Sequence, residues 1–213
     1  MTDASKWIKK LIQYFIGLFL LSLGVGISVA SGLGVSPVSA LPYVISQISG
    51  FELGACTTGI FIIYLILQII ILRKDFKPYS FIQIAISFLF GWFVDISKML
   101  MSFLAFSDNY AYRLFLCGLA IVVVGIGVFL YVGAELIPMP TEGVMLAMVK
   151  KTGMQFSTAK IIFDVSSVGV AVALSLIFMH RLEGVREGTI LAAIFVGFVV
   201  KLLHKIFKNK KTK

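Results

Sequence analysis

Charge is scarce in this chain. Only 14% of its 213 residues are charged, and the acidic ones number ten. A soluble domain carries about 25% charged residues and about 45–50% apolar ones, against 59% apolar here, which excludes an ordinary water-soluble fold. Two histidines and two cysteines are too few and too scattered for a metal centre or an activated nucleophile. Cys56 and Cys117 both fall in apolar runs, where cysteine behaves as a small hydrophobe, and no disulfide is implied. Alternation of apolar and polar residues is also missing, and with it the signature of a membrane β-barrel. The 19 basic residues leave a net charge of +9, but they gather at the ends of apolar runs. That distribution is one of membrane anchors, so nucleic acid is not an expected partner.

What is present is a series of apolar runs with a mean hydropathy of +1.02 over the whole chain. About 20 apolar residues suffice to cross a hydrocarbon core of about 30 Å. The runs predict six spans: about Leu11–Ala30, Gly54–Leu72, Phe81–Leu104, Arg113–Val132, Ser157–Phe178 and Gly188–Phe207. The fold class is therefore an all-α integral membrane protein, with residues 1–213 forming one membrane domain. The basic start could pass for a signal peptide, but the first run is long for an h-region and a relative of it recurs mid-chain. Lys6, Lys9 and Lys10, the turn at 73–77, Lys150-Lys151 and the tail KNKKTK are basic, whereas SDNYAY and the loop at 180–187 carry no excess of positive charge. An even number of spans with every basic cluster on one side predicts both termini in the cytoplasm, in the cytoplasmic membrane.

One pattern occurs twice. Gly24-Val25-Gly26 precedes Pro37 by eleven residues counted from Gly26, and Gly125-Ile126-Gly127 precedes Pro138 by eleven counted from Gly127. Each time an apolar run breaks into a shorter segment that ends at a glycine, Gly50 or Gly153. Gly91-Trp-Phe-Val-Asp95 and Gly197-Phe-Val-Val-Lys201 make a second matching pair. Three spans per unit is an odd number, so the pattern implies two inverted three-helix repeats, about 11–104 and 113–207, with proline-broken segments after the first and fourth spans. Pro37, Pro42, Pro138 and Pro140 mark the breaks. VSALPYVISQI reads as a half-helix with Ser36 as N-cap and Pro37 at its first position. The second segment reads either as re-entrant or as a surface amphipathic helix through VMLAMVKK. Irregular backbone at membrane depth has to be buried in protein or line a wet cavity, because lipid satisfies neither N–H nor C=O.

The segment GLGVSP after the first span, six spans in about 200 residues and a second proline-bearing segment after the fourth resemble the YitT/YczE-type bacterial membrane proteins. The resemblance covers essentially the whole chain and implies a compact form of that family, without the soluble C-terminal domain of its larger members. Relatives of the YczE kind often carry a Trp-Asp pair after the first proline, where this chain has Val38-Ser39. The family has no settled activity, so the resemblance speaks to fold.

Ionisable residues within spans cost about 2.5–3.5 kcal/mol at mid-helix on insertion scales and are site candidates by default. Asp164, in KIIFDVSSVG with Ser166 and Ser167, is either an ion or substrate carboxylate or the partner of Lys160 one turn earlier. Glu135 and Glu142 flank Pro138 and Pro140 and either face a cavity or are merely solvated. Asp95 and Lys201 either form a buried ion pair or act separately, Asp95 with Lys98 and Lys201 snorkelling. Ser36, Ser39, Thr57 and Thr58 offer hydroxyls to a substrate or to their own backbone. Gly24, Gly26, Gly125 and Gly127 are close-packing positions.

These observations point to a small secondary transporter or facilitator whose substrate, a small molecule or ion, binds between the halves. Six spans are few for both cavity and scaffold, which favours a homodimer in the lipid bilayer. The alternative is a substrate-binding membrane subunit resembling those of energy-coupling-factor importers, docking through Gly24-Val-Gly-Ile-Ser28. No H-E-x-x-H, Ser-His or paired-His arrangement supports an enzyme, and no cofactor is implied.

Overall fold

The computed structural model describes residues 3–103 and 109–210, and every element in it is helical. In order these are α1 (Asp3–Ser31), α2 (Pro37–Ser49), α3 (Leu53–Leu72), α4 (Ile82–Ser102), α5 (Tyr110–Gly133), α6 (Pro140–Thr152), α7 (Phe156–Met179) and α8 (Glu187–Lys210). Two 3₁₀ turns, Arg73–Asp75 and Pro78–Phe81, join α3 to α4. Leu104, at the expected end of the third span, Ser107 and Asp108 of the polar loop, and the last three tail residues lie outside the described residues.

Among the described residues six helices are long and apolar enough to cross a membrane: α1, α3, α4, α5, α7 and α8. The two short ones, α2 and α6, have 13 residues each and reach only about 20 Å, too little to span. Large apolar side chains stand exposed along the long helices, and the apolar window of α8 is only 6% buried. Meanwhile Ser22, Gln68, Gln83, Ser87 and Ser97 are buried. A protein with lipid as its solvent shows this arrangement, since contact with hydrocarbon carries no cost for Phe or Ile.

Each short helix owes its limits to local sequence. Pro37 and Pro140 occupy first helical positions, where a missing N–H costs nothing. Gly50 and Gly153, both at φ 74°, stop the two helices in the left-handed conformation that glycine adopts freely. Pro42 departs from its expected role, because it lies inside α2 and does not end it. There it forgoes one bond, to the carbonyl of Val38, and the apolar period around it carries the helix on. Pro37 and Pro140 are thus alike as helix starts, while Pro138 sits in the connection. Gly32 at φ 64° and Glu135 at φ 53° agree, being the same 103 residues apart as Pro37 and Pro140.

The chain divides into two compact units, each drawing on both sequence halves. One comprises Met1–Ser36, Ile96–Leu136 and Arg186–Lys213, the other Pro37–Asp95 and Ile137–Val185. In the first unit α1 packs along α5, and α5 against α8. Glycines bring the first pair together: a Cβ on Gly17 would lie 2.5 Å from the Tyr131 backbone nitrogen, and one on Gly127 2.6 Å from that of Leu21. Gly24 rests on Val124 and Ala120 of α5, and Gly26 on Ser97. The stretch Gly24-Val-Gly-Ile-Ser28, read above as a docking face, is used up by this internal packing.

The break at 32–36 belongs to the same unit and is satisfied by protein. Gly32 O accepts from Arg186 Nη1 at 3.0 Å, Leu33 O from Gly188 N–H at 2.8 Å, and Gly34 O from Ser28 Oγ at 3.0 Å. Leu33 and Val35 are buried. Of the two ways to keep irregular backbone at depth, this segment takes burial.

In the second unit α2 packs on α7 and α3, and α6 packs on α3 and α7. Through VMLAMVKK the second proline-bearing segment is a helix packed on protein, with Val144, Met145 and Ala147 buried.

Candidate functional site

The second unit holds the polar side chains that matter most, arranged along α3. At its start the Asp95 carboxylate of α4 accepts from the Gly54 N–H at 2.6 Å, a negative charge at a helix N-terminus. Gly54 and Gly91 let the two backbones close there, since a Cβ on either would strike the other. One turn on, Thr58 Oγ1 lies 2.9 Å from Gly54 O and 3.1 Å from Ser87 O, and Thr57 donates to Leu53 O. Thr57 and Thr58 thus serve backbone carbonyls, and Asp95 serves as a cap. Lys201 stands exposed on α8. The likeness of 91–95 to 197–201 does not extend to surroundings, because a Cβ on Gly197 would meet open space.

Farther along α3, Gln68 and Gln83 are each 2% exposed. Gln68 Nε2 donates to Gln83 Oε1 at 2.9 Å and to Pro140 O at 3.1 Å, while its amide lies against Gly143. The bond to Pro140 ties the start of α6 to α3. Neither glutamine stood out in the sequence, where each is a single polar residue in an apolar run. The signal was there nonetheless, because an amide inside a span is costly unless something meets it.

Between these features lies Tyr64. Its hydroxyl is 3.3 Å from Ser167 Oγ on α7, and its ring meets Phe163 edge-on at 5.0 Å. Asp164 follows Phe163 and shares a helix face with Ser167, three residues on. Asp164 Oδ2 accepts from Lys160 Nζ at 2.8 Å, in an i,i+4 pair whose side chains are 17% and 46% exposed respectively. Asp164 Oδ1 is buried and has no hydrogen-bond partner among the described residues. Asp164 is thus paired with Lys160 through one carboxylate oxygen, while the other is buried without a partner among the described residues. Ser166, its neighbour, points to the exposed side.

The remaining candidates have other surroundings. Glu135 is 79% exposed and pairs with Lys10 at 3.5 Å. Glu142, at the third position of α6, accepts from the Met139 N–H at 2.9 Å and so caps the helix. Ser36 lines a small cleft with Ser28, Cys117 and Gly188 in the first unit, and Ser39 is half-buried on α2. Among the described residues no three of His, Cys, Asp and Glu gather where they could hold a metal ion. If Glu142 acts as a cap, Glu142→Ala should lower stability by about 1 kcal/mol, while Glu142→Gln, which can also accept, should keep most of it. Thermal unfolding of the purified variants in detergent checks this.

Helices that turn apolar faces outward and bury polar side chains define a multi-pass α-helical membrane protein. The chain belongs to a family of unknown function (DUF6198), which matches residues 8–205. It is similar to the uncharacterized membrane protein YczE of Bacillus subtilis (strain 168), at 27% identity over 191 residues, covering 88% of this chain and 82% of that one. It is also similar to the uncharacterized protein YyaS of the same organism, at 28% identity over 137 residues, covering 64% of this chain and 67% of its relative. These matches agree with the YczE-type resemblance. No solved structure matches the chain significantly.

Proposed function

We propose that this protein is a small secondary transporter or facilitator of a small molecule or ion, built from two inverted halves in the cytoplasmic membrane with both termini inside. It acts without a chemical step of its own. The observation that carries the reading is the Asp164 carboxylate, within a span, with one buried oxygen that no described residue satisfies. Such a group is costly in lipid and is kept where a pathway needs it. Its position supports the inverted plan, since Tyr64 belongs to the first half of the sequence and Asp164 and Ser167 to the second. The crossed pairing supports it too: α2 of the first half lies on α7 of the second, and α6 of the second on α3 of the first. The importer-subunit alternative loses its docking face to the α1–α5 contact.

The test begins with mass spectrometry of small molecules carried through purification, followed by flux of those molecules and of inorganic ions in proteoliposomes holding this chain alone. Wild-type vesicles should show flux above protein-free ones, and Asp164→Asn should reduce it at least about tenfold, the effect of about 1.4 kcal/mol at the rate-limiting step. Tight retention of a molecule with no flux for any of them would sink the transport reading.

A further inference from the structure

The chemistry around Asp164 is narrow enough to name a ligand class. Its Oδ1, the Ser167 hydroxyl and the Tyr64 hydroxyl are all oxygens, the ligands that hard cations take. In the Tyr64–Ser167 pair at 3.3 Å one hydroxyl donates and both keep lone pairs for a cation. A single carboxylate balances a single positive charge, whereas calcium sites commonly gather several. Transition metals favour imidazole or thiolate, and no histidine or cysteine joins Asp164 in a potential metal-ligand group among the described residues. Lys160 already shows that the carboxylate takes a cation, because its ammonium sits on Oδ2 at 2.8 Å. That ammonium ends a flexible stem and is 46% exposed, so it can leave toward the start of α7 without disturbing the helix.

We propose that Asp164, Ser167 and Tyr64 form a site for a monovalent cation, with the Lys160 ammonium as its built-in competitor. The inference deepens the transport reading and rests on it for why a cation is taken up within the bilayer. An alkali ion and a small protonated amine share this chemistry, and the experiment separates them. A simple structural ion pair differs in one respect: it gains nothing from removal of Lys160.

The experiment measures the melting temperature of the purified full-length chain in detergent. The salts are sodium, lithium, potassium and methylammonium chloride, each titrated against N-methylglucamine chloride at constant ionic strength. A saturable rise with at least one small cation is expected, and its identity names the source. Lys160→Gln should lower the half-saturating concentration about tenfold if the ammonium holds the carboxylate about nine-tenths of the time. Asp164→Asn should abolish the rise, and Tyr64→Phe should move half-saturation upward. Identical melting temperatures in all five chlorides, for the wild type and for Lys160→Gln, would overturn the site, as would a cation-dependent rise that survives Asp164→Asn. Binding and flux fail separately: flux without a cation-dependent rise removes the cation site and leaves transport, while a rise without flux does the reverse.

Discussion

Gly127→Val is expected to leave little or no folded protein. A Cβ at Gly127 would lie 2.6 Å from Leu21 N and 2.9 Å from Gly17 O, and both atoms are backbone. Overpacking against a side chain costs about 1–3 kcal/mol, because the neighbour finds another rotamer. The α1 backbone has no such freedom and would have to move as a helix, taking with it the Gly17–Tyr131 and Gly24–Val124 contacts and the Gln13 Nε2 to Leu130 O bond at 2.9 Å. The cost should therefore exceed that range and consume a large share of a typical net stability of about 5–15 kcal/mol. Gly118→Ala on the same helix is the control, since a Cβ there meets nothing within 4 Å. Fluorescence-detected size-exclusion chromatography after a heating series should show a sharp monodisperse peak for Gly118→Ala and a collapsed one for Gly127→Val. Equal behaviour of the two would show that α1 and α5 are not held by this contact.

Gln68→Leu carries the second large effect. Leucine is similar in size to glutamine, so the loss is chiefly one of hydrogen bonds. It strands Gln83 Oε1, which loses the Gln68 amide as its donor, and it removes the bond from α3 to Pro140 O, an oxygen that keeps its place in the hydrogen-bond ladder of α6. A buried acceptor left unsatisfied costs about 1–3 kcal/mol, so the single change should cost about that much. Replacing both glutamines removes the stranded group altogether. Gln68→Leu with Gln83→Leu should thus be more stable than Gln68→Leu alone, the coupling expected of residues in contact. Thermal melts of the wild type, the two singles and the double in one detergent complete the cycle. Additive losses would mean that the two amides do not depend on one another.

The two short helices illustrate how much local sequence carries. Pro37 and Gly50 bound α2, Pro140 and Gly153 bound α6, and each of these residues acts through its own backbone, so no partner needs to be known. Which proline of the second segment starts the helix is less legible. Both Pro138 and Pro140 are compatible with the end of an apolar run, and only the helix start distinguishes them. Asp164 was visible as a charge inside a span. Tyr64 was not, because one tyrosine in an apolar run has no meaning until Ser167, 103 residues away, lies opposite.

What the sequence by itself determined is therefore everything that one segment decides alone. Six spans follow from apolar length, the limits of the two short segments from proline and glycine, and a lipid solvent from the scarcity of charge. The tertiary structure decided what depends on which segments meet. It set α1 on α5 through glycines that could equally have faced a partner, turned Glu142 and Asp95 into caps, and left one oxygen of Asp164 buried without a partner among the described residues. The physical reason is that a hydrogen bond or a close contact is a property of two groups. In a bilayer every long helix is apolar, so hydropathy does not say which helix is the neighbour.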